Sequence, residues 1–128
     1  GDAKDGDDAM QYMLLINEDE SVYAGDDGAK LMEQTLAGHM ELIEKLSASG
    51  KEWSGNRLKG ADTATTIRYK AGEGALHDGP FAETHEELGG YYIVSADTLD
   101  EAIEWARMIP VPGDGAVEIR PIFPDEDM

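Results

Sequence analysis

The sequence predicts an α+β sandwich in which both helices lie on one face of a single sheet. Two helical periodicities, at 30–49 and 98–108, are separated by stretches that alternate at the strand period. The connections between strands are short and suit antiparallel pairing. The opening run "MQYMLLIN" (10–17) is apolar on both alternating faces from Tyr12 to Ile16, as in a central strand covered on each side.

"EDESVYAGDDG" then reads as a polar loop rich in turn formers. In the long helix, Met32, Leu36, His39, Met40, Ile43 and Leu46 recur at steps of three and four, which lays one stripe along one face. Asp27 is its expected N-cap, and Gly50 stops it in the left-handed region. "KEWSGNRLKGAD" is a connection with a short strand around Trp53. "TATTIRYK", "AGEG" and "ALHD" together read as a β-hairpin over 63–78, and "GYYIVS" (90–95) as a further strand. Thr98 and Glu101 form a capping box that opens the second helix, and Pro110 ends it. Val117 and Ile119 alternate with Glu118 and Arg120 in a last strand over 116–122.

Strand, long helix, strand pair, strand, helix, strand is the order of a ferredoxin-like sandwich. The face of the sheet away from the helices would be bare and apolar, and a second copy would bury it most simply, so a homodimer is expected.

The 128 residues fit one domain with its own core. Residues 10–124 form it, with acidic, solvated tails at 1–9 and 125–128. No apolar run reaches the roughly 20 residues of a membrane span, and the aspartate-rich start lacks the features of a signal peptide, so a cytoplasmic protein is expected. Without cysteine there is no disulfide, thiolate metal site or thiol nucleophile. The net charge of −18 repels phosphate backbones and anionic membranes, which argues against direct nucleic-acid binding. Such acidity serves solubility or adaptation to salt.

The stretch "HDGPFAETHEELGGYY" (77–92) concentrates the chemistry. Asp78-Gly79-Pro80-Phe81 reads as a turn that ends the hairpin, with Phe81 anchoring it in the core. Thr84 and Glu87 in "THEE" satisfy the capping-box pattern, predicting one helical turn over 84–88. Asp78 either accepts N–H bonds from its own turn or acts as a general acid or base at the mouth of a pocket.

"DGPFAETHEELGGYYIV", the opening "MQYMLLIN", the helical His39, "DEAIEWA" and "VEIRP" together resemble the YCII-related family, specifically its DGPF subgroup, over 10–121. The resemblance implies a dimeric α+β barrel of largely unassigned function. It places a catalytic histidine and aspartate on His39 and Asp78, and implies an association of some members with extracytoplasmic-function sigma factors. Two positions depart from the pattern. His85 stands where the subgroup usually has lysine. "ARMIPVP" lacks the acid that follows the second helix in YCII proteins proper.

His39, on an apolar stripe, is either a satisfied core histidine or an imidazole able to titrate near neutral pH. With Asp78 it forms the expected catalytic pair, in a small-molecule pocket to which Phe81 and Arg120 contribute substrate contacts. Arg120 either pairs with a neighbouring acid or binds an anionic ligand. No phosphate loop, dinucleotide fingerprint or serine elbow is present, so no cofactor is expected, and three scattered histidines give little basis for a metal site. Proton transfer on a small organic molecule is the most economical chemistry. A regulatory module partnered with a sigma factor is the alternative.

Overall fold

The computed structural model describes residues 10–82 and 84–127. Six strands and two helices run in the order β1 (Met10–Asp19), α1 (Gly28–Ala48), β2 (Trp53–Arg57), β3 (Thr65–Lys70), β4 (Glu73–Asp78), β5 (Glu86–Ala96), α2 (Leu99–Arg107) and β6 (Gly115–Pro121). Short 3-10 turns occupy Glu20–Tyr23, Ala61–Thr63 and Asp125–Asp127. The main sheet has the order β2-β5-β1-β6 with every pair antiparallel, and β3 and β4 form a separate hairpin. This is a ferredoxin-like α+β arrangement with a hairpin inserted between its second and third sheet strands.

Alternation along the strands decides where the core lies. Tyr12, Leu14 and Ile16 of β1 share a face with Tyr92 and Val94 of β5 and with Val117 and Ile119 of β6, because these residues stand opposite one another in the register. That face packs on Leu42 and Leu46 of α1 and on Ala102 and Ala106 of α2 in one cluster. Both helices therefore cover the same side. The other face carries Met13, Leu15, Tyr91 and Ile93, all only partly buried within the chain.

Most helix signals act as their chemistry dictates. Thr98 Oγ1 accepts the Glu101 N–H at 3.2 Å, and Glu101 reaches back to the Asp97 N–H at 2.9 Å. Gly50 adopts φ 79° just past α1. Asp27 occupies the N-cap position of α1, but its side chain makes no capping bond.

Two local expectations are overturned. Residues 84–88 do not form a helical turn. Glu86, Glu87 and Leu88 pair instead with Asp19, Glu18 and Asn17, beyond a bulge at Ile16/Asn17 that skips Gly89. The free edge of an extended β1 offers a ladder of backbone bonds, which outweighs the two bonds of a capping box. Nor does Phe81 enter the core. It is 69% exposed, with the Arg68 guanidinium stacked 5.0 Å from its ring centroid and bonded to its carbonyl oxygen. The acidic C-terminal residues Asp125–Asp127 are exposed, as a solvated tail would be, yet form a 3-10 turn. The other acidic tail, at 1–9, lies outside the described residues.

Candidate functional site

An open cavity of about 530 Å³ lies between α1 and the β2-β5 end of the sheet. Its existence follows from the sequence of β2 and β5. On the helix-facing side, the positions filled elsewhere by leucine, valine or isoleucine are here Gly55 and Gly90, paired with Tyr92 and Arg57. A Cβ on Gly55 would come within 2.8 Å of the Tyr92 ring, so the glycine makes room for the tyrosine. Gly89 does the same for Glu18, whose carboxylate lies where a Cβ would have to be. The stripe of α1 supplies the opposite wall, with Met32, Leu36, Met40 and Ile43 giving an apolar lining.

Polar groups enter this lining at two places. Towards the C-terminal half of α1, His39 Nδ1 lies 2.7 Å from the Tyr92 hydroxyl, with the two rings stacked at 19° and 5.8 Å apart. Burial lowers the His39 pKa below its ordinary 6.5, and the positive charge of Arg57 lowers it further. Burial pushes the Tyr92 phenol up from 10.0. Both groups are therefore neutral at pH 7. Two tautomers satisfy their bond. If Nδ1–H donates to the phenol oxygen, Nε2 keeps a free lone pair; if the phenol donates to Nδ1, Nε2 carries the proton.

One turn earlier on α1 is the second place. The single hydroxyl proton of Tyr23 is shared between Glu18 Oε1 and Thr35 Oγ1, each 3.4 Å away, while Thr35 donates to the Leu31 carbonyl at 2.8 Å. Burial raises the Glu18 pKa above 4.5, opposed by the Tyr23 bond and by Arg57 and reinforced by Glu20. Four residues of helix rise about 6 Å, so Thr35 and His39 present these two stations along one wall.

Of the four residues expected to form the site, His39 alone lines the cavity. Asp78 ends β4 opposite Thr65, exposed to solvent, and does not meet His39 within one chain. No bond from its carboxylate to the turn forms among the described residues; Gly79 N–H instead donates to the Ala64 carbonyl at 2.8 Å. Phe81 lines a separate recess beside the hairpin. Arg120 stands opposite Met13 on the sheet face away from the helices, 3.6 Å from Glu118. His77 and His85 are exposed, and no cluster of three potential metal ligands occurs among the described residues.

Sequence reasoning missed Tyr92 as the histidine's partner, and Glu18, Tyr23 and Arg57 altogether. The alternation Trp53, Gly55, Arg57 was the available signal for Arg57. Nothing local marks Glu18, because the apolar run of β1 ends at the polar Asn17 while the strand continues to Asp19.

Fold and cavity define a small ferredoxin-like α+β protein with a histidine-bearing pocket on its helical side. The sequence matches the YCII-related domain over residues 10–125, and the chain belongs to that family. It is also similar to an uncharacterized protein of Rhizobium meliloti (strain 1021), with 36% identity over 118 residues, 88% of this chain and 92% of that one. No helix is long and apolar enough to cross a membrane among the described residues.

Proposed function

We propose that the protein binds a small organic molecule between α1 and the sheet and that His39 transfers a proton on it, with Tyr92 fixing the imidazole. One observation carries this reading: the 2.7 Å bond between a half-buried imidazole and a buried phenol at the wall of an open, mainly apolar cavity. A histidine serving only the core would be sealed by its neighbours. A general base must be neutral at working pH and within reach of its substrate. Burial supplies the first condition and the open cavity the second. In the base-competent tautomer, Nδ1–H donates to Tyr92, Nε2 accepts the substrate proton, and the phenol oxygen stabilises the resulting imidazolium.

The test is a screen of small aromatic and aliphatic molecules by ¹H–¹⁵N NMR on the wild type and on His39→Gln. Ligands should shift the resonances of Gly55, Gly90 and α1, and solvent exchange of an acidic ligand C–H should fall at least about a hundredfold in His39→Gln. Absence of any cavity-mapped binding would refute the reading.

Membership of the DGPF subgroup is part of the proposal, supported by Asp78-Gly79-Pro80-Phe81 at the end of the hairpin. So is a homodimer forming an α+β barrel, supported by the partly bare face of Met13, Leu15, Tyr91 and Ile93. A role for Asp78 in catalysis would require it to reach a cavity other than its own chain's. A cytoplasmic location fits the acidic, cysteine-free composition.

A second reading, a regulatory module that docks on a protein such as a sigma factor, is favoured by the hairpin. Ile67 and Leu76 stand opposite each other on it and are 53% and 77% exposed. Loss of partner capture on Leu76→Asp, with small-molecule binding intact, would support this reading; failure to capture any partner at low salt would refute it.

A further inference from the structure

We propose that Arg57 makes the cavity a site for small monocarboxylates, with the carboxylate on the guanidinium and an apolar body along the methionine- and leucine-lined wall of α1. The inference rests on the cavity admitting a small molecule, not on the proton transfer.

Arg57 ends the edge strand β2 opposite Gly90, on the helix-facing side, and it lines the cavity. The one hydrogen-bonding contact of its side chain among the described residues is with the thioether sulfur of Met32, 3.3 Å from a terminal nitrogen. A thioether is a weak acceptor, and a guanidinium has five N–H donors arranged to fit a carboxylate in two parallel bonds. No carboxylate lies within 4.0 Å of it among the described residues.

The two acids that share the lining, Glu18 and Glu20, have hydrogen-bond partners other than Arg57, although the Arg57 charge acts on Glu18. Glu18 accepts from Tyr23, and Glu20 accepts the Ala61 N–H at 3.2 Å. Their proximity limits the ligand, because a dianion such as a phosphate monoester would meet two carboxylates with one cation to balance it. A single negative charge on a planar group fits best. The net charge of −18 does not prevent this. At about 0.15 M salt the screening length is about 8 Å, so distant acids are muted while a contact pair is not. The lining of Met32, Leu36, Met40 and Ile43 then takes the rest of the ligand.

The experiment compares benzoate and phenylacetate with benzamide and phenylacetamide at pH 7, by ¹H–¹⁵N NMR titration of the wild type, Arg57→Gln and Arg57→Lys. The acids should shift cavity resonances and bind roughly tenfold or more tightly than the amides, as expected of charge-assisted bonds. Arg57→Gln should erase that difference, and Arg57→Lys should keep part of it, since an ammonium retains the charge without the fork. Amides that bind as well as acids, or acid binding unchanged in Arg57→Gln, would overturn the assignment while leaving the cavity a ligand site. If no probe shifts the cavity, both this inference and the proposed function fail. Should Arg57→Gln not fold, the acid–amide comparison on the wild type decides.

Discussion

Four ionisable side chains around the cavity, Tyr23 among them, are displaced by the same cause, loss of water. Burial moves His39 down from 6.5, Glu18 up from 4.5 and Tyr92 up from 10.0. The first two shifts have opposite consequences for stability. Between the folded His39 value and 6.5 the unfolded chain binds more protons, so stability rises with pH there and is lost as pH falls through the folded value. For Glu18 the folded chain holds the proton more tightly. Its contribution is complete below 4.5 and lost as pH rises through the folded value. Glu18→Gln, which keeps an acceptor for Tyr23 and removes the charge, should therefore raise the melting temperature at pH 7 and have little effect at pH 4. Thermal melts across that range check it; a lower melting temperature at pH 7 would show that Glu18 is held as a favourable anion. At this scale the sequence was only partly readable. The apolar stripe exposed His39 as unusual, but a partner 53 positions away, Tyr92, depends on strand register that local patterns do not contain.

The elements divide according to how much of their formation is local. α1 and α2 carry their periodicity, caps and stops within themselves, and both form close to where the pattern puts them. The hairpin of β3 and β4 is equally local, its turn set by Ala71 and Gly72 with φ of 53° and 83°. The start of β5 is not. "THEE" favours a helical turn by its own chemistry, and the strand wins because β1 continues to Asp19 and offers it a ladder. Phe81 likewise sits at the end of a hairpin that never packs on the core, so its apolarity finds Arg68 instead. The cavity depends on β2 as an element. Gly55→Ala would bring a Cβ to 2.8 Å from the Tyr92 ring and 2.9 Å from the Tyr91 carbonyl, forcing one or both to move. A loss of about 1–3 kcal/mol in chemical denaturation is expected, together with rupture of the His39–Tyr92 bond. An unchanged His39 environment in the variant would mean that Gly55 does not set the cavity floor.

The whole molecule presents two unlike sheet faces. Helices cover one, leaving the cavity open at its β2-β5 end, and the other displays Met13, Leu15, Tyr91 and Ile93 between the polar margins of Gln11, Glu118 and Arg120. Alternation in β1 announces this asymmetry, since its apolar residues occupy both faces while the two helices of the described residues cover one. A pair of copies joined through the bare face should sediment as a dimer at micromolar concentration. Each copy carries −18, so raising the ionic strength should tighten the pair by screening like charges. A monomer at every salt concentration would contradict the pairing. The location of Asp78 belongs to this scale too. Topology carries the hairpin away from the α1 cavity, a separation that the residue spacing between His39 and Asp78 does not reveal.

The central claim is that His39 is a neutral, Tyr92-bonded imidazole open to a ligand, and a ¹³C or ¹⁵N NMR titration of its ring tests this most directly. The account predicts a midpoint below 6.5 that falls further in Tyr92→Phe, which removes the oxygen that accepts from Nδ1–H, and that shifts when a ligand fills the cavity. A midpoint at or above 6.5, indifferent to both, would contradict it.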